Sequence, residues 1–97
     1  MKFAAEISAD LETAFAWYER QRPGLGSQFI DCVEACFEKI ARSPSLYEQV
    51  LGEYRRALVR RFPYAVFFTL SPDGVMVYGV IHTARDPRKW QGLLKRS

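Results

Sequence analysis

Between Leu25 and Arg42 the apolar residues Phe29, Cys32, Val33, Cys36, Phe37 and Ile40 recur every three or four positions, with Asp31, Glu34 and Glu38 falling outside the stripe. That spacing predicts an amphipathic α-helix. A second stripe precedes it. In ADLETAFAWYERQ, residues 9–21, Leu11, Ala14, Phe15 and Tyr18 stand at i, i+3, i+4 and i+7, which predicts another amphipathic helix. Ser8 is placed to cap it, and Asp10 and Glu12 suit the positive end of a helix dipole. Between the stripes, RPGLGS contains Pro23, which has no N–H to donate, and Gly24 and Gly26, which permit a tight reversal. The two helices are therefore expected to lie antiparallel as a hairpin.

Period two takes over on either side of the hairpin. KFAAEI alternates Phe3, Ala5 and Ile7 with Lys2, Ala4 and Glu6, predicting a short first strand. Ser43 and Pro44 end the second helix, and SPSLYEQVLGE reads as a connection whose Tyr47 and Val50 tuck under the hairpin. YRRALVRR, YAVFFTL and GVMVYGVIH follow, rich in aromatic and β-branched residues and separated by FP and SPDG, where Gly74 is free to take positive φ. Short turns join antiparallel neighbours, so these three predict a meander. The tail DPRKWQGLLKRS predicts a short helix from Pro87, with Trp90, Leu93 and Leu94 spaced to dock. The expected fold is α+β, in one domain over residues 1–97. It has an N-terminal strand, an antiparallel helical hairpin packed on a mainly antiparallel sheet with a three-strand C-terminal meander, and a short C-terminal helix.

Composition narrows the picture. Ninety-seven residues hold a single two-layer core. No apolar run approaches the roughly 20 residues of a membrane span, and MKFAAEISADLE acquires acids where a signal peptide needs its apolar stretch, so a cytoplasmic location is expected. Cys32 and Cys36, four apart on a helix, are poorly arranged for a disulfide and read as core thiols. With His82 as the single histidine they cannot complete a four-ligand zinc site, so no metal and no other cofactor is expected.

Charge is more informative. The net charge is +3, but residues 1–53 carry five basic against nine acidic side chains while residues 54–97 carry nine against two. The halves therefore stand at −4 and +7, and the basic half points to an acidic partner, either nucleic acid or an acidic peptide. The acidic face of the first 53 residues is expected to stay away from a phosphate-bearing target. Four arginines crowd into YRRALVRR. Strand alternation sends Arg55 and Arg61 to one face and Arg56 and Arg60 to the other, so neither face buries cleanly unless the strand is an edge, bends, or is covered by something acidic. A partner is the economical explanation; the plain alternative is a solvated edge that resists aggregation.

The phrases WYERQRPGLGSQF, RRALVRRFPYAVFF and VIHTARDPRKW, in that order and on that succession of elements, resemble the RelE/ParE superfamily of type II toxin-antitoxin toxins, the ParE-like plasmid stabilisation proteins in particular. The resemblance covers almost the whole chain. It implies a cognate antitoxin whose amphipathic C-terminal segment pairs carboxylates with guanidinium groups. It also implies one of two targets. RelE-like members cleave mRNA in the ribosomal A site, whereas ParE-like members inhibit DNA gyrase.

Cleavage by a 2′-hydroxyl needs a base, a phosphate cation and an acid. On that alternative His82 and Arg85 are the catalytic candidates and Arg55, Arg56, Arg60 and Arg61 the phosphate clamps. RelE-like nucleases carry an arginine soon after the tyrosine that opens the middle meander strand, where this chain has Ala65 after Tyr64. They also keep a tyrosine or histidine near the C-terminus, and LLKRS has neither. The favoured reading is thus a ParE-like inhibitor of gyrase that acts by binding, with Arg55, Arg56, Arg60, Arg61, Arg85, Arg88 and Lys89 facing the target or antitoxin. The alternatives are the mRNA endonuclease and a degenerate toxin that only binds its antitoxin.

Overall fold

Burying two helical stripes and the apolar side of a sheet against one another produces two layers. A computed structural model describes residues 1–84. Along the chain run β1 (Lys2–Phe3), α1 (Glu6–Gln21), α2 (Leu25–Arg42), a 3-10 turn (Pro44–Leu46), β2 (Gln49–Leu51), β3 (Tyr54–Leu58), β4 (Tyr64–Ser71) and β5 (Gly74–His82). The sheet order is β1-β5-β4-β3-β2; β1 runs parallel to β5 and the other pairs are antiparallel. The α+β hairpin-on-sheet fold is the one the patterning predicts. The helix expected from Pro87, and with it Trp90, Leu93 and Leu94, lies outside the described residues.

α1 starts earlier than Ser8. Its N-cap is Ala5, which makes no side-chain cap bond, and Glu6 supplies the acid of the first turn. Ile7 explains the shift, because as a helical residue it joins Leu11, Ala14 and Tyr18 on the inner face and is buried there. The first strand shrinks accordingly to Lys2–Phe3. On α2 the expected stripe forms, with Phe29, Val33, Cys36 and Ile40 buried. The reversal between the helices is tight. Gly24 takes φ 89°, and the backbone N–H groups of Gly24 and Gly26 both donate to Glu19 Oε1 at 2.9 Å. A Cβ at Gly26 would lie 2.7 Å from the Phe15 carbonyl oxygen, so only glycine lets α2 approach α1 this closely.

The sheet turns one face to the hairpin. Ala57, Val66 and Val80 align across β3, β4 and β5, as do Phe68 and Val77, and all five join the core around Phe29, Val33 and Ile40. Between these rows the register slips, because Phe67 faces Gly79 while Phe68 faces Val77. Tyr78 is the extra residue of a β-bulge, which keeps both Val77 and Val80 facing the helices despite their odd spacing. On the far face Ala65, Phe67 and Ile81 form a second buried cluster, against which Val50 packs. Val50 therefore sits across the sheet from the hairpin and not under it. Tyr47 does pack on the main core.

β3 stops at Leu58, three residues before the expected end. Val59 N–H donates to the Tyr64 carbonyl at 2.8 Å, closing a reversal over Arg60, Arg61, Phe62 and Pro63. Phe62 decides this. Its ring lies edge-on to Tyr18 and Phe29, with centroids 5.0 and 5.3 Å away, and turning it inward ends the extended run. The backbone pivots at Arg61, which takes φ 72°.

Candidate functional site

The four arginines that the sequence groups as one cluster are distributed to three places. Arg55 stands on the hairpin side of β3, opposite Phe68. Its Nη1 donates to the Tyr47 carbonyl at 2.6 Å and reaches the Ser45 carbonyl at 3.4 Å, fastening the 3-10 segment to β3. Arg56 is exposed on the far face, opposite Phe67. Arg60 and Arg61 are exposed in the β3–β4 reversal, so the strand alternation expected to separate them does not apply. Arg85, Arg88 and Lys89 lie outside the described residues.

Arg60 and Arg61 form one wall of a groove of about 550 Å³ whose other wall is α2. α2 contributes Asp31, Cys32, Ala35, Cys36 and Lys39, while Tyr47 and Leu58 complete the lining. Three cations thus face one carboxylate around an apolar floor. Leu58 is 66% exposed, and its pairing with Ala65 of the far-face cluster turns its side chain away from α2. Past Lys39 and Tyr47 a smaller hollow of about 250 Å³ continues along Arg42, Ser43 and Leu46, and Leu46 is 81% exposed. One wall therefore comes from the half of the chain whose acidic face was expected to be silent.

Among the described residues of the groove, the buried Cys36 is not an activated nucleophile. Burial pushes the Cys36 thiol up to about 11, against a smaller opposing pull from Lys39, and Sγ makes a long contact of 3.8 Å with the Leu58 carbonyl. The thiol is protonated at neutral pH and correspondingly inert. Its contribution to stability is complete below pH 9 and is lost as pH rises through about 11. Burial, and then Cys36, also raises the Tyr47 phenol above its ordinary value, so Tyr47 presents a neutral ring. Cys32 is half-buried and both cysteines are free. Among the described residues no three His, Cys, Asp or Glu side chains are grouped to hold a metal ion. None of the described helices is long and apolar enough to cross a membrane.

His82 ends β5 opposite Tyr64, the two rings edge-to-face with centroids 5.1 Å apart. Its Nδ1 accepts the Ala84 backbone N–H at 3.1 Å, which places the proton of the neutral ring on Nε2. His82 is not among the groove's lining residues. Sequence reasoning found Arg60 and Arg61 but not the groove they border. Its signal was present in Leu46, a leucine that no predicted stripe accounts for, beside Lys39 and Arg42 at the end of α2.

Comparison with known proteins bears on this arrangement. The family model of the ParE toxin of type II toxin-antitoxin system, parDE, matches residues 1–87. Among solved structures the chain is similar to one from the chromosomal ParDE TA system from P. aeruginosa, with a TM-score of 0.74 at 12% identity, covering 84% of this chain and 91% of that one. At that identity the likeness speaks for the fold. No curated protein matches the chain.

Proposed function

The chain belongs to the ParE toxin family of type II toxin-antitoxin systems, and from that premise we propose that it inhibits DNA gyrase by binding and is neutralised by a cognate antitoxin protein. The observation that supports binding over cleavage is the dispersal of the described candidates, His82, Arg55, Arg56, Arg60 and Arg61. RNA cleavage requires a base, an acid and a phosphate cation converging within hydrogen-bond reach of one phosphate. Here Arg55 is engaged with backbone carbonyls, Arg56 is on the far face, and Arg60 and Arg61 border a groove whose lining excludes His82. Ala65, which follows Tyr64 where RelE-like nucleases carry an arginine, is fully buried in the far-face cluster.

The endonuclease remains the second reading because His82 is the single histidine in the sequence, the residue type best suited to acid–base work near neutral pH. Expression of the chain without an antitoxin separates the two. Gyrase inhibition yields stalled gyrase–DNA cleavage complexes and a DNA-damage response before protein synthesis falls. Translation that stops first, with mRNA cut in the A site of purified ribosomes and the cutting reduced about 10²-fold or more by His82→Ala, would install the nuclease instead. A soluble chain that stops neither process and still binds its antitoxin is the degenerate module.

A further inference from the structure

The two faces of the sheet raise different questions about what covers them. The helical hairpin lies on one, yet on the other Ala65, Phe67 and Ile81 are only 0, 2 and 4% exposed. A sheet face open to water does not hide a phenylalanine. Among the described residues the partly buried side chain packed against this cluster is Val50, which belongs to β2 at the edge of the sheet, with β3 between it and β4. An edge residue of the same sheet cannot roof β4 and β5.

Burial also draws the outline of the cover. Across the far face Leu58 pairs with Ala65 and Ala65 with Ile81, while Arg56 pairs with Phe67 and Phe67 with Gly79. In both rows the β3 residue is exposed and the β4 and β5 residues are buried. The cover therefore lies over β4 and β5 and stops short of β3. Within it the two small residues, Ala65 and Gly79, stand at opposite corners of a square whose other corners are Phe67 and Ile81, so a hollow runs between the large side chains. A large flat ring fills such a hollow.

We propose that residues 85–97 of this chain fold back over the far face of the sheet, with the Trp90 indole seated on Ala65 between Phe67 and Ile81. The place where the described chain ends selects this occupant. β5 finishes at His82, beside the Ala65–Ile81 row, and the Pro63 carbonyl then accepts the Thr83 N–H at 2.9 Å and the Thr83 hydroxyl at 3.3 Å. The Ala84 N–H is held in turn by His82 Nδ1 at 3.1 Å. The segment thus leaves from the rim of the covered area. It brings Trp90, Leu93 and Leu94, and at about 3.3 Å per extended residue it reaches every corner of the square. A tethered segment competes at an effective concentration of roughly millimolar, so it outcompetes a second copy of the chain in dilute solution. Seated there, it carries Arg85, Arg88 and Lys89 to the side of the sheet that holds Arg56, across from the groove cations. The basic half of the chain is then divided between two surfaces.

Solution NMR of the intact chain tests this. Nuclear Overhauser contacts are expected from the Trp90 indole to the Ala65 methyl and to Ile81, and they should persist on dilution and arise within single molecules when labelled and unlabelled chains are mixed. Trp17→Phe leaves Trp90 as the sole tryptophan, whose emission should be blue-shifted from that of free tryptophan and shielded from acrylamide. In that background Ala65→Leu fills the seat without adding charge, and should shift the emission to the red and lower Tm by about 4 °C or more. Leu58→Ser, on the uncovered strand, should leave the emission as it was.

Trp90 contacts confined to the hairpin, emission like that of free tryptophan, or contacts that arise only between chains, the mark of a second copy on this face, would each overturn the proposal. Unchanged emission in a folded Ala65→Leu protein would equally remove the indole from residue 65. Should that variant not fold, the contacts in the unmutated chain still decide.

Discussion

Two of the molecule's sharp reversals are made by opposite means. Between α1 and α2 the positive-φ position is Gly24, and Glu19 Oε1 accepts the N–H groups of Gly24 and Gly26 that the start of α2 leaves without helical partners. Every local choice there agrees with the fold. Between β3 and β4 the positive-φ position is Arg61, the backbone bonds are those from Val59 N–H to the Tyr64 carbonyl and from Tyr64 N–H to the Phe62 carbonyl, and the turn is held by Phe62 plugged into an aromatic cluster. Here a tertiary contact overrides local preference. The second reversal, not the first, is also the one that borders the basic groove.

The largest effect comes from pulling the plug. Phe62→Ala removes a partly buried ring from between Tyr18 and Phe29 and should cost about 3 kcal/mol. In a domain of this size that lowers Tm by roughly 12 °C or more in a thermal melt. With the pivot released, Arg61 loses its fixed direction at the groove wall. A Tm within about 2 °C of wild type would show that the backbone bonds alone hold the reversal.

The contrast between the turns also explains what the sequence disclosed. The helical hairpin was legible because RPGLGS carries its own instructions and Phe29, Val33, Cys36 and Ile40 keep helical period. The meander was legible for the same reason in period two. The end of β3 was not, since YRRALVRR has strand-like residues throughout and stops only where Phe62 meets Tyr18 and Phe29, residues remote in sequence. Alternation carried across that hidden boundary assigned Arg60 and Arg61 to opposite faces of a strand they do not belong to. β2 and the Tyr78 bulge escaped because each is a property of pairing. Three residues with an irregular register, or one residue too many opposite β4, leave no periodic mark.

A smaller loss is expected from the glycine that lets the helices approach. In Gly26→Ala the new methyl would meet the Phe15 carbonyl oxygen at 2.7 Å and the Phe15 ring at 2.8 Å, and backbone cannot give way as a flexible side chain can. α2 must shift outward, at a cost of about 2 kcal/mol, lowering Tm by roughly 8 °C or more. An unchanged melt would mean the hairpin has slack that its packing does not suggest.

The smallest change tests whether the first reversal is purely structural. Glu19→Gln keeps an oxygen within reach of the Gly24 and Gly26 N–H groups and removes its charge, and charge-assisted hydrogen bonds are about twice as strong as neutral ones. The expected cost is about 1 kcal/mol, read as a Tm lower by roughly 4 to 8 °C. Amide exchange at Gly24 and Gly26 should quicken, because these are the donors whose acceptor weakens. A Glu19→Gln protein whose melt and amide exchange match wild type would show that the carboxylate charge contributes nothing to the first reversal.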